Sequence, residues 1–303
     1  MGNNIQSVCV VGAGYMGSQI ALQCAVHGYA VNLFDSNSDA MAKSEKAVEA
    51  FSQRMIAENY LAEGEQQMVL GRISRPSNLE AAASTSNLVI EAISEKLEYK
   101  RALFEELDRI CPGETILTTN SSSLRVSRIE TAVQRRDRVL NTHFVQPIWQ
   151  HPFVELMKGT ETEDDVVEQV DAFMQSIGML TVHVRKESTG FVFNRIWRAV
   201  KKEALKVVDQ GIASIEDIDR TWMIQMESPM GPLATMDVIG LDVIRDIEMV
   251  YYEESGDPDD APPAILNEKV EAGQLGVKTG QGFYTYPNPS WQAEDFLKAP
   301  GHE

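Results

Sequence analysis

The sequence predicts an α/β protein, a doubly wound parallel sheet followed by a smaller all-α C-terminal domain. Three observations predict it. As far as Val184, apolar strand runs alternate with helical patterns, as βαβ units do. A glycine-rich turn, Gly12-Ala13-Gly14-Tyr15-Met16-Gly17, joins the first strand run to the first helical pattern. Beyond Val184 the strand runs stop and only helical periodicity continues.

In chain order, strands are expected at Ser7–Val11, Ala30–Phe34, Leu88–Ala92, Ile116–Thr119, Arg138–Phe144, Val154–Met157 and Leu180–Val184. Helices are expected at Met16–Val26, which stops before Gly28 as a C′ glycine, and at Asp39–Tyr60 with Ser38 as N-cap. Two more are expected at Lys96–Ile110 and Asp164–Ile177. In the second part Phe191–Gln210 is a long amphipathic pattern, and Ile215–Met226, Ala234–Tyr252 and Ala264–Ala272 also read as helices. Glu253–Pro263 is an acidic, proline-bearing loop. The change of texture sets domains of 1–187 and 188–303.

The 303 residues suffice for two hydrophobic cores. A formal net charge of −18 repels phosphate backbones and argues against a nucleic-acid partner. It gives no steering toward anions either, so any bound anion must be held by local groups. No run approaches the roughly 18 apolar residues of a membrane span, and the start lacks the basic and apolar regions of a signal peptide. Gln6 stands where a myristoylation signal has Ser or Thr. A cytoplasmic protein with no membrane partner is expected. Cys9, Cys24 and Cys111 form no CxxC pair and read as buried thiols of a reducing compartment. The five histidines show no metal-ligand spacing, and no metal is expected.

A glycine-rich turn alone is a weak signal, but this one follows a strand and opens a helix. Gly12 permits the tight turn, Gly14 lets the backbone approach a pyrophosphate, and Gly17 lets helix and strand pack closely. The helix N-terminus adds partial positive charge. Asp35 ends the second strand run, where a carboxylate accepts from ribose hydroxyls and repels a 2′-phosphate. Ser36, Asn37 and Ser38 follow it with no Arg, which selects NAD over NADP.

Oxidising a secondary alcohol requires removal of the hydroxyl proton as hydride leaves. A neutral imidazole is the usual base near pH 7. His143 ends a strand run at the sheet edge that carries ligands in such folds. A lone histidine is more often structural. Here an apolar segment, Phe153-Val154-Glu155-Leu156-Met157, holds one carboxylate, and a buried carboxylate needs a partner. Spacing alone leaves that pairing open. Asn120-Ser121-Ser122-Ser123-Leu124 and Gly190-Phe191-Val192-Phe193-Asn194-Arg195 bring further hydroxyl and amide groups.

These stretches resemble the L-3-hydroxyacyl-CoA dehydrogenases, a family with a Rossmann NAD-binding domain and a helical second domain. The likeness extends to Gly231-Pro232-Leu233, to Asp237-Val238-Ile239-Gly240-Leu241-Asp242 and to Gly276-Val277-Lys278-Thr279-Gly280-Gln281-Gly282-Phe283-Tyr284, in order from Val8 to about Tyr286. The resemblance implies NAD as cofactor, held by Gly12, Gly14, Tyr15, Met16, Gly17, Asp35 and Asn120. It implies nicotinamide-ribose contacts at Ala92, Glu95 and Lys100, although the last two alone would read as a solvated helix face. It makes His143 the base and Glu155 its dyad partner, has Ser122 touch substrate oxygen and nicotinamide, and has Asn194 hold the substrate carbonyl. A homodimer is implied, with the apolar face of Phe191–Val208 available for it.

The sequence departs from the family pattern in places. His143-Phe144-Val145-Gln146-Pro147 replaces the family's second Phe and its Asn. Trp149-Gln150-His151 stands where smaller residues are usual, and Ser188-Thr189-Gly190 lacks the Pro before Gly. The family's helical hairpin after the second strand offers lysines to the CoA phosphates. Gln53–Gly64 offers only Arg54, with Lys43 and Lys46 earlier on the helix. Three readings follow. The first is a short-chain 3-hydroxyacyl-CoA dehydrogenase. The second is an enzyme for a free 3-hydroxy acid, as the gulonate and carnitine dehydrogenases are. The third is a non-enzymatic NAD-binding protein like lambda-crystallin, which would have no reason to keep the base and its partner.

Overall fold

The computed structural model describes residues 4–298, which form two compact units divided between Val192 and Phe193. In the first unit β1 (Ser7–Val11), β2 (Ala30–Phe34), β3 (Ile73–Ser74), β4 (Leu88–Glu91), β5 (Ile116–Thr119), β6 (Val139–Phe144), β7 (Phe153–Lys158) and β8 (Leu180–Val184) form one sheet in the order β3-β2-β1-β4-β5-β6-β7-β8. The first six strands run parallel, which is the Rossmann arrangement with its reversal of order between β1 and β4. β7 then turns back antiparallel to β6, and β8 runs parallel to β7.

Helices cover both faces, so the central strands β4, β5 and β6 are buried along their whole length instead of alternating between buried and exposed. Val8 and Val10 point to one core with Leu33 and Ile90, under α1 (Tyr15–Val26) and α7 (Asp164–Ser176). Cys9 and Val11 point to the other with Val89 and Leu117, under α5 (Leu97–Ile110). α2 (Ser38–Ala57) lies beside α1. Three short helices, α3 (Gln66–Leu70), α4 (Leu79–Ala83) and α6 (Val126–Ile129), complete the unit. The N-cap of α2 is Asn37 and not Ser38. The Asn37 side chain accepts from the amides of Asp39 and Ala40, leaving Ser38 as the first helical residue. All three thiols are buried, and burial pushes Cys24 up to about 12, Cys111 up to about 11 and Cys9 higher still.

The second unit is helical: α8 (Phe193–Asp209), α9 (Ile215–Met226), α10 (Pro232–Ile239), α11 (Leu241–Ser255) and α12 (Ala264–Glu271). The single helix expected over Ala234–Tyr252 is two helices. Gly240, at φ +106°, breaks it, and a side chain there would be strained. Leu205, Leu233, Met236, Leu241, Ile244 and Leu266 form its core.

Two motifs of this unit prove to be joints. Asp219 is fully buried and accepts from the amides of Leu233 and Ala234 in the first turn of α10 and from the Tyr284 hydroxyl. Pro232 has no amide to satisfy, and a Cβ on Gly231 would fall 2.2 Å from the Asp219 carboxyl carbon. Asp237 accepts from the amides of Phe283 and Tyr284 and from the Tyr286 hydroxyl. A Cβ on Gly276 or Gly282 would collide with Asp237. Among the described residues no helix is long and apolar enough to cross a membrane.

Candidate active site

The carboxyl ends of β1, β4, β5 and β6 lie side by side, and the chain leaving each carries site residues. After β1, Gly12 adopts φ +110° with its amide on the Phe34 carbonyl. A Cβ there would stand 2.5 Å from the Ala92 carbonyl oxygen, so only glycine fits. Gly17 is equally constrained, since a Cβ there would stand 1.8 Å from the Gly12 carbonyl oxygen. At Gly14 a Cβ would meet nothing within 4 Å. Gly14 also caps α1 without a side-chain partner, and no acidic residue occupies the first turn. An unobstructed backbone beside an uncapped helix start fits a dinucleotide pyrophosphate.

Asp35 turns back onto this loop. One oxygen accepts the Ala13 amide at 2.9 Å, and the other accepts the Asn37 amide at 2.8 Å. Tyr15 is half exposed on the first turn of α1, edge-on to Phe51, and Met16 is partly buried against the core.

Lys100 does not lie on a solvated face, although Glu95 stays partly exposed. Lys100 is 1% exposed, with Nζ 2.6 Å from Glu91 and 3.3 Å from Glu95. Thr119 donates to the other Glu91 oxygen at 2.6 Å. Glu95 accepts from the amides of Ser122 and Ser123 and from the hydroxyls of Ser121 and Ser123. Burial raises its carboxyl, but Lys100 and these donors outweigh burial and hold it below the usual range. Glu95 thus shapes the serine loop, while Lys100 supports it from inside and is not presented to solvent. Ala92, at the end of β4, gives its amide to Val11. Asn120 ties β5 to β6, its side-chain oxygen accepting the Phe144 amide at 2.9 Å. Ser122 is exposed, and its hydroxyl makes no hydrogen bond among the described residues.

His143 and Glu155 face each other across the antiparallel β6–β7 ladder. His143 Nδ1 lies 2.9 Å from Glu155 Oε2, with His143 6% and Glu155 1% exposed. A carboxylate at Nδ1 fixes the tautomer that carries its proton there and leaves the Nε2 lone pair open. Nε2 has no hydrogen bond among the described residues. Two partners come from the glycine-phenylalanine motif. Phe191, at φ +55°, stacks on the imidazole with ring centres 4.8 Å apart, and the Val192 amide donates to Glu155 Oε1 at 2.8 Å. Neither role was readable from sequence, where Phe191 looks like the first apolar residue of a helix. Asn194 lies in the first turn of α8 in the second unit.

Arg54, the only cation of Gln53–Gly64, is occupied. Its Nε donates to Glu58 at 2.7 Å, and its guanidinium stands 5.6 Å from the ring centre of Trp149.

Comparison with known proteins identifies the family. Residues 7–188 match the family model described as 3-hydroxyacyl-CoA dehydrogenase, NAD binding domain, and residues 190–286 match its C-terminal domain. The chain is 38% identical to the probable 3-hydroxybutyryl-CoA dehydrogenase of Bacillus subtilis, over 93% of this chain and 98% of that one. It is 34% identical to the human mitochondrial hydroxyacyl-coenzyme A dehydrogenase, over 93% and 91%. The crystal structure of (S)-3-hydroxybutyryl-CoA dehydrogenase from Ralstonia eutropha superposes with a TM-score of 0.88 at 35% identity, covering 94% of this chain and all of that one. Matched over both domains and at 38% identity to a relative along nearly its whole length, the chain belongs to the 3-hydroxyacyl-CoA dehydrogenase family and is an NAD-dependent oxidoreductase acting on a CH–OH group.

Proposed function

We propose that this chain oxidises the C3 hydroxyl of a short 3-hydroxyacyl-CoA to the 3-oxo thioester, with His143 as base. The observation carrying this reading is the buried His143 Nδ1–Glu155 contact at 2.9 Å, which leaves Nε2 open. NAD, when bound, supplies the hydride acceptor. The C3–H electron pair leaves as hydride, the hydroxyl proton goes to Nε2, and the C3–O bond becomes a carbonyl. Glu155, held by Val192, stabilises the imidazolium that forms. Ser122 and Asn194 serve as donors to the reacting oxygen and the thioester carbonyl. Gly12, Gly14, Tyr15, Met16, Gly17 and Asp35 hold the adenosine and pyrophosphate side of NAD. Ala92, Glu95, Asn120 and, through Glu95, Lys100 shape the nicotinamide-ribose side.

A second reading, a free 3-hydroxy acid as substrate, is favoured by one observation: Arg54 is engaged by Glu58 and Trp149. NAD reduction followed at the nicotinamide band, with 3-hydroxybutyryl-CoA beside a panel of free 3-hydroxy acids, decides between them. Turnover of the thioester is expected, and turnover of free acids alone replaces the first reading with the second. Asp35→Ser is expected to narrow the preference for NAD over NADP, and equal wild-type use of the two would remove Asp35 from cofactor selection. The protein acts in the cytoplasm, where buried free thiols persist. It acts as a homodimer through the second unit, where Phe193 and Ile196 of α8 are 46% and 63% exposed. Light scattering coupled to size exclusion tests that state.

A further inference from the structure

The segment 145–152 joins the two strands that carry His143 and Glu155, and it is tied down at its crown. The Ile148 amide donates at 3.1 Å to Gln19 of α1, the helix whose start holds the glycine-rich turn. The Trp149 indole N–H and the Gln150 side-chain amide both donate to one Glu58 oxygen, at 2.8 and 2.7 Å, and Arg54 holds the other. Trp149 is 4% exposed. Its ring centre lies 5.9 Å from that of Phe51, which in turn meets Tyr15 at 5.1 Å. A chain of contacts therefore runs from the first turn of α1, through α2, to the connection between the paired catalytic groups. Glu58 is the C-cap of α2 and the acceptor on which three donors converge, from Arg54, Trp149 and Gln150.

We infer that Glu58 is a positioning residue. It clasps the 145–152 connection to the cofactor-binding helices and so fixes His143 relative to the bound nicotinamide. The inference rests on His143 acting as the base. A neutral amide at position 58 cannot replace the carboxylate. It offers one acceptor oxygen for three donors, and its NH2 faces donors already in place. Arg54 belongs to the same device, occupied in orienting Glu58, so it is not available to a substrate anion in this state. Misplacing reacting groups slows the chemical step while leaving distant binding contacts intact.

The test compares wild type, Glu58→Gln, Trp149→Phe and the double variant. Steady-state oxidation of 3-hydroxybutyryl-CoA and hydrogen exchange of the 145–152 amides are both read, with melting temperature as the check on folding. Glu58→Gln is expected to lower kcat roughly tenfold with KM for NAD unchanged, and to speed exchange in 145–152. Trp149→Phe keeps the ring against Phe51 and removes the N–H. It is expected to give a smaller loss, and the double variant is expected to be less impaired than the product of the single losses. Unchanged exchange in Glu58→Gln overturns the clasp, and faster exchange with unchanged kcat overturns its positioning role. A loss that appears in KM for NAD instead of kcat also overturns it. The function reading fails differently, in the wild type, as absence of NAD reduction with the thioester. In that case the exchange of Glu58→Gln still decides the clasp.

Discussion

Glu155 in the first unit and Asp219 in the second are both buried carboxylates that satisfy their oxygens fully, yet they face different kinds of donor. Asp219 meets two backbone amides and a tyrosine hydroxyl, and Asp237 repeats the pattern. The partners of Glu155 include a backbone amide and an imidazole. The donors to Asp219 and Asp237 are neutral and fixed, and the aspartates join helix to loop. An imidazole can gain and lose a proton, and its second nitrogen is left open. Burial and hydrogen bonding of a carboxylate therefore do not mark a catalytic site by themselves. In the proposed mechanism it is the imidazole, a partner with a second nitrogen that can exchange a proton, that sets Glu155 apart.

The comparison breaks most readily through the joints. Asp219→Ala strands two amides and a hydroxyl in a dry site, and is expected to cost about 3 kcal/mol or more of unfolding free energy. Denaturant titration checks this, and a loss below about 1 kcal/mol would show the joint to be dispensable. At the other carboxylate the expectation reverses. His143→Gln is expected to lower turnover by roughly a hundredfold or more with NAD affinity and melting temperature little changed. Glu155→Gln is expected to slow the reaction too, since the imidazolium loses its anionic partner. A His143→Gln enzyme of normal rate would remove His143 from the mechanism.

Acidity separates the two regions next. Burial raises Asp219 and Asp237 above the ordinary aspartate value of 3.8. A raised folded-state value gives stability that is full below the unfolded value and lost as pH climbs through the folded one. In the first unit Arg54, Trp149 and Gln150 lower Glu58 from 4.5 to about 2, so its contribution is present above 4.5 and lost as pH falls toward about 2. Acidification from neutrality toward pH 4 is therefore expected to slow amide exchange around Asp219 and Asp237 once corrected for intrinsic rates, without loosening the 145–152 connection. Faster corrected exchange around the aspartates would reverse the sign. The smallest effect is expected at Arg54. With its guanidinium occupied and half exposed, Arg54→Ala should change KM for 3-hydroxybutyryl-CoA within about twofold. A large rise that fades with salt would show that Arg54 leaves Glu58 to bind a phosphate.

Several strands were legible to the residue. Ser7–Val11, Ala30–Phe34, Ile116–Thr119 and Leu180–Val184 are continuous apolar or alternating runs bounded by turn residues. β3 was not, because two residues carry no period. The break at Gly240 was hidden because apolar residues on both sides keep one helical phase. The glycine turn and Asp35 were readable since they are local. The His143–Glu155 pairing was only an open possibility from spacing, and its closure needed the β6–β7 register. Glu58 was illegible: a lone carboxylate on a polar helix looks solvated, and its partners Trp149 and Gln150 lie 91 and 92 positions away.

The buried thiols have a practical consequence. Cys9, Cys24 and Cys111 are all interior, and burial keeps each protonated near neutrality, so maleimides and disulfide reagents find no ready target on the native surface. A coupled assay, in which a thiolase cleaves the 3-oxo thioester and such a reagent detects the released coenzyme thiol, leaves these cysteines out of reach. The same quiet background suits single-site spectroscopy. His151→Cys, at an exposed position beside Trp149 and Gln150, would be the one reactive sulfur, and a fluorophore or spin label attached there would report the motion of that connection during turnover.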